Sequence, residues 1–220
     1  MSLSHHELDE TFRLQRDDQE EALRIRIHRA ISWLGRAEKE KDDLDARFIF
    51  LWISLNAVYA QEFGGESKQV EQVRNFITSL LTVDVKRRLH GLLLQNYSGA
   101  IRNVLQDKYM FEKFWESGRR HDSSDAWKAS FAASSKDAMD AVLANRTVDV
   151  FCHVYQRLYV MRNQLIHGGA TYGSKVNRDQ LANALQVMEK LVPLVIALMI
   201  PVKENIFGEL AYPVLKDSTN

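Results

Sequence analysis

The chain has one cysteine, three prolines and no excess of charge of either sign. Each shortage removes a class of protein. Cys152 has no intrachain partner, so no disulfide framework holds the fold; its apolar neighbours predict a buried, inert thiol. A lone cysteine fits a reducing compartment. Three prolines and ten glycines in 220 residues are too few to punctuate a many-turned all-β fold. The 29 basic residues are matched by 29 acidic ones. A global pull towards nucleic acid or a membrane surface is therefore absent, and any such pull has to be local. Residues 1–19 lack the apolar stretch of a secretory signal. The longest apolar run, 191–202, is twelve residues with two prolines in it, short for a bilayer span. A soluble, cytoplasmic protein with no membrane association is expected. There is no phosphate-binding glycine loop, and the histidines lack carboxylate neighbours at ligand spacing, so neither a cofactor nor a metal is expected.

What is present is ordinary core material, 45% apolar and 26% charged. Its periodicity is helical throughout, and no stretch alternates as a strand would, which predicts an all-α fold. Residues 1–20 show no periodicity and are expected to be a flexible N-terminal arm. From residue 21 the stripe Leu23, Ile27, Ala30, Ile31 and Leu34 marks a first helix, ending in the charged stretch 36–45. A second helix, 44–63, is apolar on every face around Phe48, Leu51 and Trp52, as expected of a central helix, with Gly64 and Gly65 ending it. Asn56 lies in this apolar material and needs a partner, either a structural bond to a neighbouring helix or a place at an active groove.

Residues 66–145 read as shorter helices over 68–81, 84–95, 98–107, 108–117 and 124–145. Tyr109, Phe111, Phe114 and Trp115 would fill a core at that spacing; stacking of nucleobases is the alternative. The basic runs 86–88 and 119–121 read as solvated charge. A long helix then spans 147–167, striped by Val148, Phe151, Tyr155, Leu158 and Leu165. The last helix begins at Asn177, an expected N-cap with Gln180 reaching back, and should kink at Pro193. Residues 203–220 are expected to be a tail.

The chemistry gathers where the long helix ends. Arg162 sits on its apolar stripe, and His167 is followed at once by Gly168 and Gly169. Between residues 146 and 178 five cations, Arg146, Arg157, Arg162, Lys175 and Arg178, face one Asp149, a local excess suited to a phosphate-bearing partner. Arg157, Lys175 and Arg178 are the expected phosphate-binding side chains. A histidine can take the proton of a ribose 2′-hydroxyl, an arginine can hold the phosphoryl oxygens, and Asn163 can orient either group. Side chains five residues apart diverge by about 140° on one helix. Arg162 and His167 therefore meet at one phosphate only if the helix unwinds at its glycines or if two protomers pool their residues.

The segment Arg162-Asn163-Gln164-Leu165-Ile166-His167 resembles the R-x-x-x-x-H signature of the HEPN superfamily, including the polar residue after the arginine. Its place near the end of a long helix with one more helix to follow, and the apolar helix around 47–60, are similar to that family too. The resemblance implies an antiparallel HEPN-like helical bundle over 21–202. Its core would be 21–63 and 147–202, with 66–145 a helical insertion between the second and third core helices. It further implies a metal-independent endoribonuclease of single-stranded RNA, working as a homodimer in defence, toxin–antitoxin or RNA-processing systems. Arg162 and His167 would be catalytic, Asn163 supporting, and an antitoxin or other protein a possible partner. Family members that only bind nucleotides, RNA or a partner give the alternative reading. Toxins paired with a nucleotidyltransferase often carry a tyrosine two residues after the histidine; here that residue is Gly169.

Overall fold

The computed structural model describes residues 3–61, 66–95 and 99–214, and it is helical from one end to the other, with no strand among the described residues. In chain order the helices are α1 (His5–Gln15), α2 (Glu21–Lys39), α3 (Leu44–Tyr59), α4 (Glu66–Val83), α5 (Arg88–His90), α6 (Ala100–Gln106), α7 (Glu112–Arg119), α8 (Ala126–Leu143), α9 (Thr147–Ile166) and α10 (Arg178–Met199). A π turn, Gly91–Gln95, prolongs α5, and a 3-10 turn, Lys108–Met110, leads into α7. The all-α expectation is met. The glycine pair expected to stop the second helix lies outside the described residues.

The α2–α3 hairpin is the foundation. The predicted stripe of α2 is buried, and α3 is capped at Asp43, whose carboxylate accepts the Ala46 N–H at 2.9 Å. The two helices run antiparallel: Ser54 donates to the Ala30 carbonyl at 2.7 Å, and Arg26 reaches the Val58 carbonyl at 3.2 Å. Helix α10 packs into the same core and is almost wholly buried from Leu191 onward. It is the one described helix long and apolar enough to cross a bilayer, and 67% of that stretch is buried inside the bundle. Pro193 lies within this helix.

Three expectations are corrected. The arm is a helix: Ser4 and Glu7 form a reciprocal capping box, and Leu8 and Phe12, one turn apart, are buried against the bundle. A ring carbon of His5 would lie 2.5 Å from a Cβ at Gly35, so glycine is what lets α1 sit this close. The tail is docked as far as Tyr212. Phe207 is buried against Phe76, and the fully buried Arg26 donates to the carbonyls of Gly208 and Glu209 as well as to Val58 and Ala60. The region 66–145, expected as a helical insertion within one domain, contributes Phe76, Ile77, Leu80, Val104 and Leu105 to one core with α2, α3 and α10. Asn177 precedes α10 but does not cap it; its side-chain oxygen and nitrogen are buried without a partner among the described residues.

Candidate functional site

Helix α9 brings the motif to the surface. Val150, Phe151, Val154, Leu158 and Met161 anchor it in the core, and its last turn emerges at the surface. The stop is a paired turn. The Gly169 N–H reaches the Gln164 carbonyl at 2.7 Å and the Gly168 N–H reaches Leu165 at 3.4 Å, with Gly168 left-handed at φ +68°. A Cβ at Gly169 would lie 3.1 Å from the Gln164 oxygen. The two glycines therefore have separate tasks, one of backbone hand and one of close approach. His167 is the C-cap and is solvent-exposed.

Arg162 is half-buried. Its Nη1 donates to Asn163 Oδ1 at 2.9 Å, and its guanidinium carbon stands 5.8 Å from the Tyr159 ring centre. This bond narrows the divergence expected of the motif. The Asn163 and His167 side chains lie only about 40° apart around the helix. A long arginine that bends onto Asn163 has thus moved its charge towards the histidine's face.

Behind Arg162 lies a polar seam between α3 and α9. Tyr59 donates to Asn56 Oδ1 at 2.6 Å and lies 2.6 Å from the Tyr155 hydroxyl. With its single proton given to the amide, Tyr59 accepts from Tyr155. Burial, then the neighbouring Tyr155, pushes the Tyr59 phenol well above its usual range, and the nearby Arg162 charge opposes this. Trp52 lies against Tyr155 and Tyr159, with ring centres 5.4 and 6.0 Å away. Asn56 thus has the structural bond its apolar setting demanded, and it belongs to the chain of rings ending at Arg162. Tyr59, Tyr155 and Tyr159 were not singled out as site residues. Their signal was spacing: Tyr155 and Tyr159 precede Arg162 by seven and three residues, on one face of α9.

The expected phosphate-binding set divides. Arg157 is buried; it reaches Ser134 Oγ at 3.1 Å and stands 4.6 Å from the Phe111 ring centre. Burial pushes its pKa down to about 10. It is a core residue, not a phosphate ligand. Arg178 is clamped by both oxygens of Asp45, at 2.7 and 2.8 Å. Arg146 pairs with Asp149 at 3.3 Å. Of the cations not buried in the core, Arg162 and the exposed Lys175 have no carboxylate within salt-bridge distance among the described residues. The local excess of positive charge is therefore smaller than the chain order suggests, because Asp45 comes from α3, more than a hundred residues earlier. Of the short basic runs, Arg119 pairs with Glu112, while Arg87 meets the His90 ring at 3.2 Å.

On the other side of His167, Gln164 Nε2 donates to the Tyr109 carbonyl at 2.8 Å, joining the motif to the 3-10 turn before α7. Phe111 and Met110 enter the core, whereas Tyr109 remains partly exposed. Among the described residues no three His, Cys, Asp or Glu side chains gather as metal ligands. Compared with protein families, curated proteins and solved structures, the chain shows no match to any of them.

Proposed function

We propose that this chain is an endoribonuclease of the HEPN type, cutting single-stranded RNA by attack of a ribose 2′-hydroxyl on the neighbouring phosphorus. The observation that carries the reading is the Arg162–Asn163 hydrogen bond, which turns the guanidinium towards the face that Asn163 shares with the exposed His167. In this reading the His167 imidazole takes the 2′-hydroxyl proton as the O2′–P bond forms. The guanidinium of Arg162 holds the non-bridging oxygens as charge builds on them. The 5′-oxygen leaves with a proton returned by an imidazolium, and the other fragment ends in a 2′,3′-cyclic phosphate. The residual divergence between Arg162 and His167 is met by a second copy, so that two motifs line one cleft. Asn163 then orients Arg162, while Asn56 stands behind it through Tyr59 and Tyr155.

The test is cleavage of a single-stranded RNA in EDTA by the wild type, Arg162→Ala and His167→Ala. Loss of at least a hundredfold in both variants, with a cyclic phosphate at the cut end, is expected. Equal cleavage by all three would refute the assignment.

The second reading is a HEPN-like module that binds RNA, a nucleotide or a protein partner without cutting. The burial of Arg157 and the pairing of Arg178 with Asp45 favour it, since they leave fewer free cations to stabilise a transition state. Binding that persists without cleavage and is lost in Arg162→Ala would select it.

A further inference from the structure

The aromatic residues of the α6–α8 region are not all core. Tyr109 is 41% exposed, and Phe114, Trp115, Trp127 and Phe131 are half-buried. The backbone of Tyr109 is held on every side. Its N–H is bonded to Asp107 at 2.8 Å, and its carbonyl accepts both Trp115 Nε1 and Gln164 Nε2, each at 2.8 Å. Phe114 meets its ring edge-on at a centroid distance of 5.2 Å, and Lys108 Nζ stands 5.0 Å from the ring centre. An exposed ring on a backbone with both polar groups bonded is a fixed platform rather than a loose surface side chain.

Its position gives it a use. Gln164, which grips the Tyr109 carbonyl, precedes His167 by three residues, so the two are neighbours on the end of α9. They flank the helix on the side away from Arg162: about 60° separates Gln164 from His167, and about 40° separates His167 from Asn163 on the other side. By helical spacing His167 thus falls between Asn163, which holds Arg162, and Gln164, which holds the Tyr109 backbone. An unpaired nucleotide has this composition, with an anionic phosphate at one end and a flat base at the other. Lys108, whose ammonium stands over one face of the ring, adds a positive charge for a neighbouring phosphate.

We infer that Tyr109 is the base-stacking subsite of the RNA cleft, receiving one unpaired nucleobase next to the phosphate placed between Arg162 and His167. The inference rests on the ribonuclease reading and adds its substrate requirement. A base stacked on Tyr109 has left its helix, so duplex RNA is excluded by the platform and not by the catalytic groups.

The test separates binding from cleavage. A fluorescein-labelled single-stranded oligonucleotide, 2′-O-methylated throughout, cannot undergo 2′-hydroxyl attack. Its affinity is measured by anisotropy for the wild type, Tyr109→Phe, Tyr109→Trp and Tyr109→Ala, beside the matching duplex. The aromatic variants are expected to bind within about twofold of the wild type and the alanine variant about tenfold or more weaker, as loss of one stacked base requires. The duplex should bind weakly to all four. Trp115, hydrogen-bonded to the platform, should change its fluorescence on binding of the single strand and not of the duplex. The melting temperature of Tyr109→Phe and Tyr109→Ala checks folding. Wild-type affinity in Tyr109→Ala would overturn the inference, as would equal loss in Tyr109→Phe, absence of single-strand binding, or an altered oligomeric state in the alanine variant. Each of those results leaves the EDTA cleavage assay to stand or fall separately.

Discussion

Arg26 gives the sharpest prediction about stability. It is fully buried on α2, faces no carboxylate within salt-bridge distance among the described residues, and spends its two terminal nitrogens on four carbonyls. Two of these end α3, and two belong to the segment after α10. Burial pushes its pKa down to about 10. That corresponds to roughly 3 kcal/mol against the charged form. Four charge-assisted bonds at roughly 1.5–3 kcal/mol each more than offset it. Arg26→Met keeps much of the side-chain volume and removes every donor. The part-buried Gly208 and Glu209 carbonyls then lose the donor that ties the segment to α2, while the Val58 carbonyl stays buried. The expected loss is about 3–5 kcal/mol in denaturant unfolding. Faster hydrogen exchange over 203–212 should accompany it. A loss under about 1 kcal/mol with 203–212 still protected would show that the carbonyls are satisfied in some other way, and the reasoning would fail.

Removing the Phe12 ring, 1% exposed, should cost about 3–5 kcal/mol and open α1 to proteolysis; a melting curve like that of the wild type would mean that α1 is not docked. Tyr59→Phe deletes the donor to Asn56 and the acceptor offered to Tyr155, and should cost about 1–2 kcal/mol while lowering RNA cleavage through a less firmly held Arg162. Unchanged kcat in that variant would detach the seam from the site. His90 is buried beside Thr147 Oγ1 at 3.0 Å, and burial first, then Arg87, lowers its pKa. The unfolded chain takes up that proton first, so the contribution of His90 is present above the ordinary histidine pKa and fades as pH falls below it. The stability difference between the wild type and His90→Gln should shift accordingly across pH 5–7.5 in urea titrations.

Elements whose cause is local were legible beforehand. The stripe of α2, the all-round apolarity of α3 and the length of α9 follow from the spacing of apolar side chains along one segment. The glycine stop after His167 follows from two adjacent residues. Helix α1 was legible too, through Ser4, Glu7, Leu8 and Phe12, but a short signal amid charged residues was outweighed by them. The Asn177 cap failed for the opposite reason: a good local pattern makes no side-chain cap in the fold, where the Asn177 amide is buried instead.

Charge was the least legible quantity. The chain order places Arg157 and Arg178 within a run of cations; the fold buries one among aromatic rings and gives the other to Asp45. Spacing alone could show that Arg162 and His167 diverge, because a helix has one pitch. It could not show that Asn163 draws the guanidinium back, or that Gln164 ties His167's other flank to Tyr109, since those contacts depend on where α3 and the turn before α7 come to rest. Helical periodicity and chain stops are properties of neighbours in sequence, and they were settled there. Burial, ion pairing and the contacts around the motif depend on elements brought from 55 or 133 residues away, and only packing could settle them.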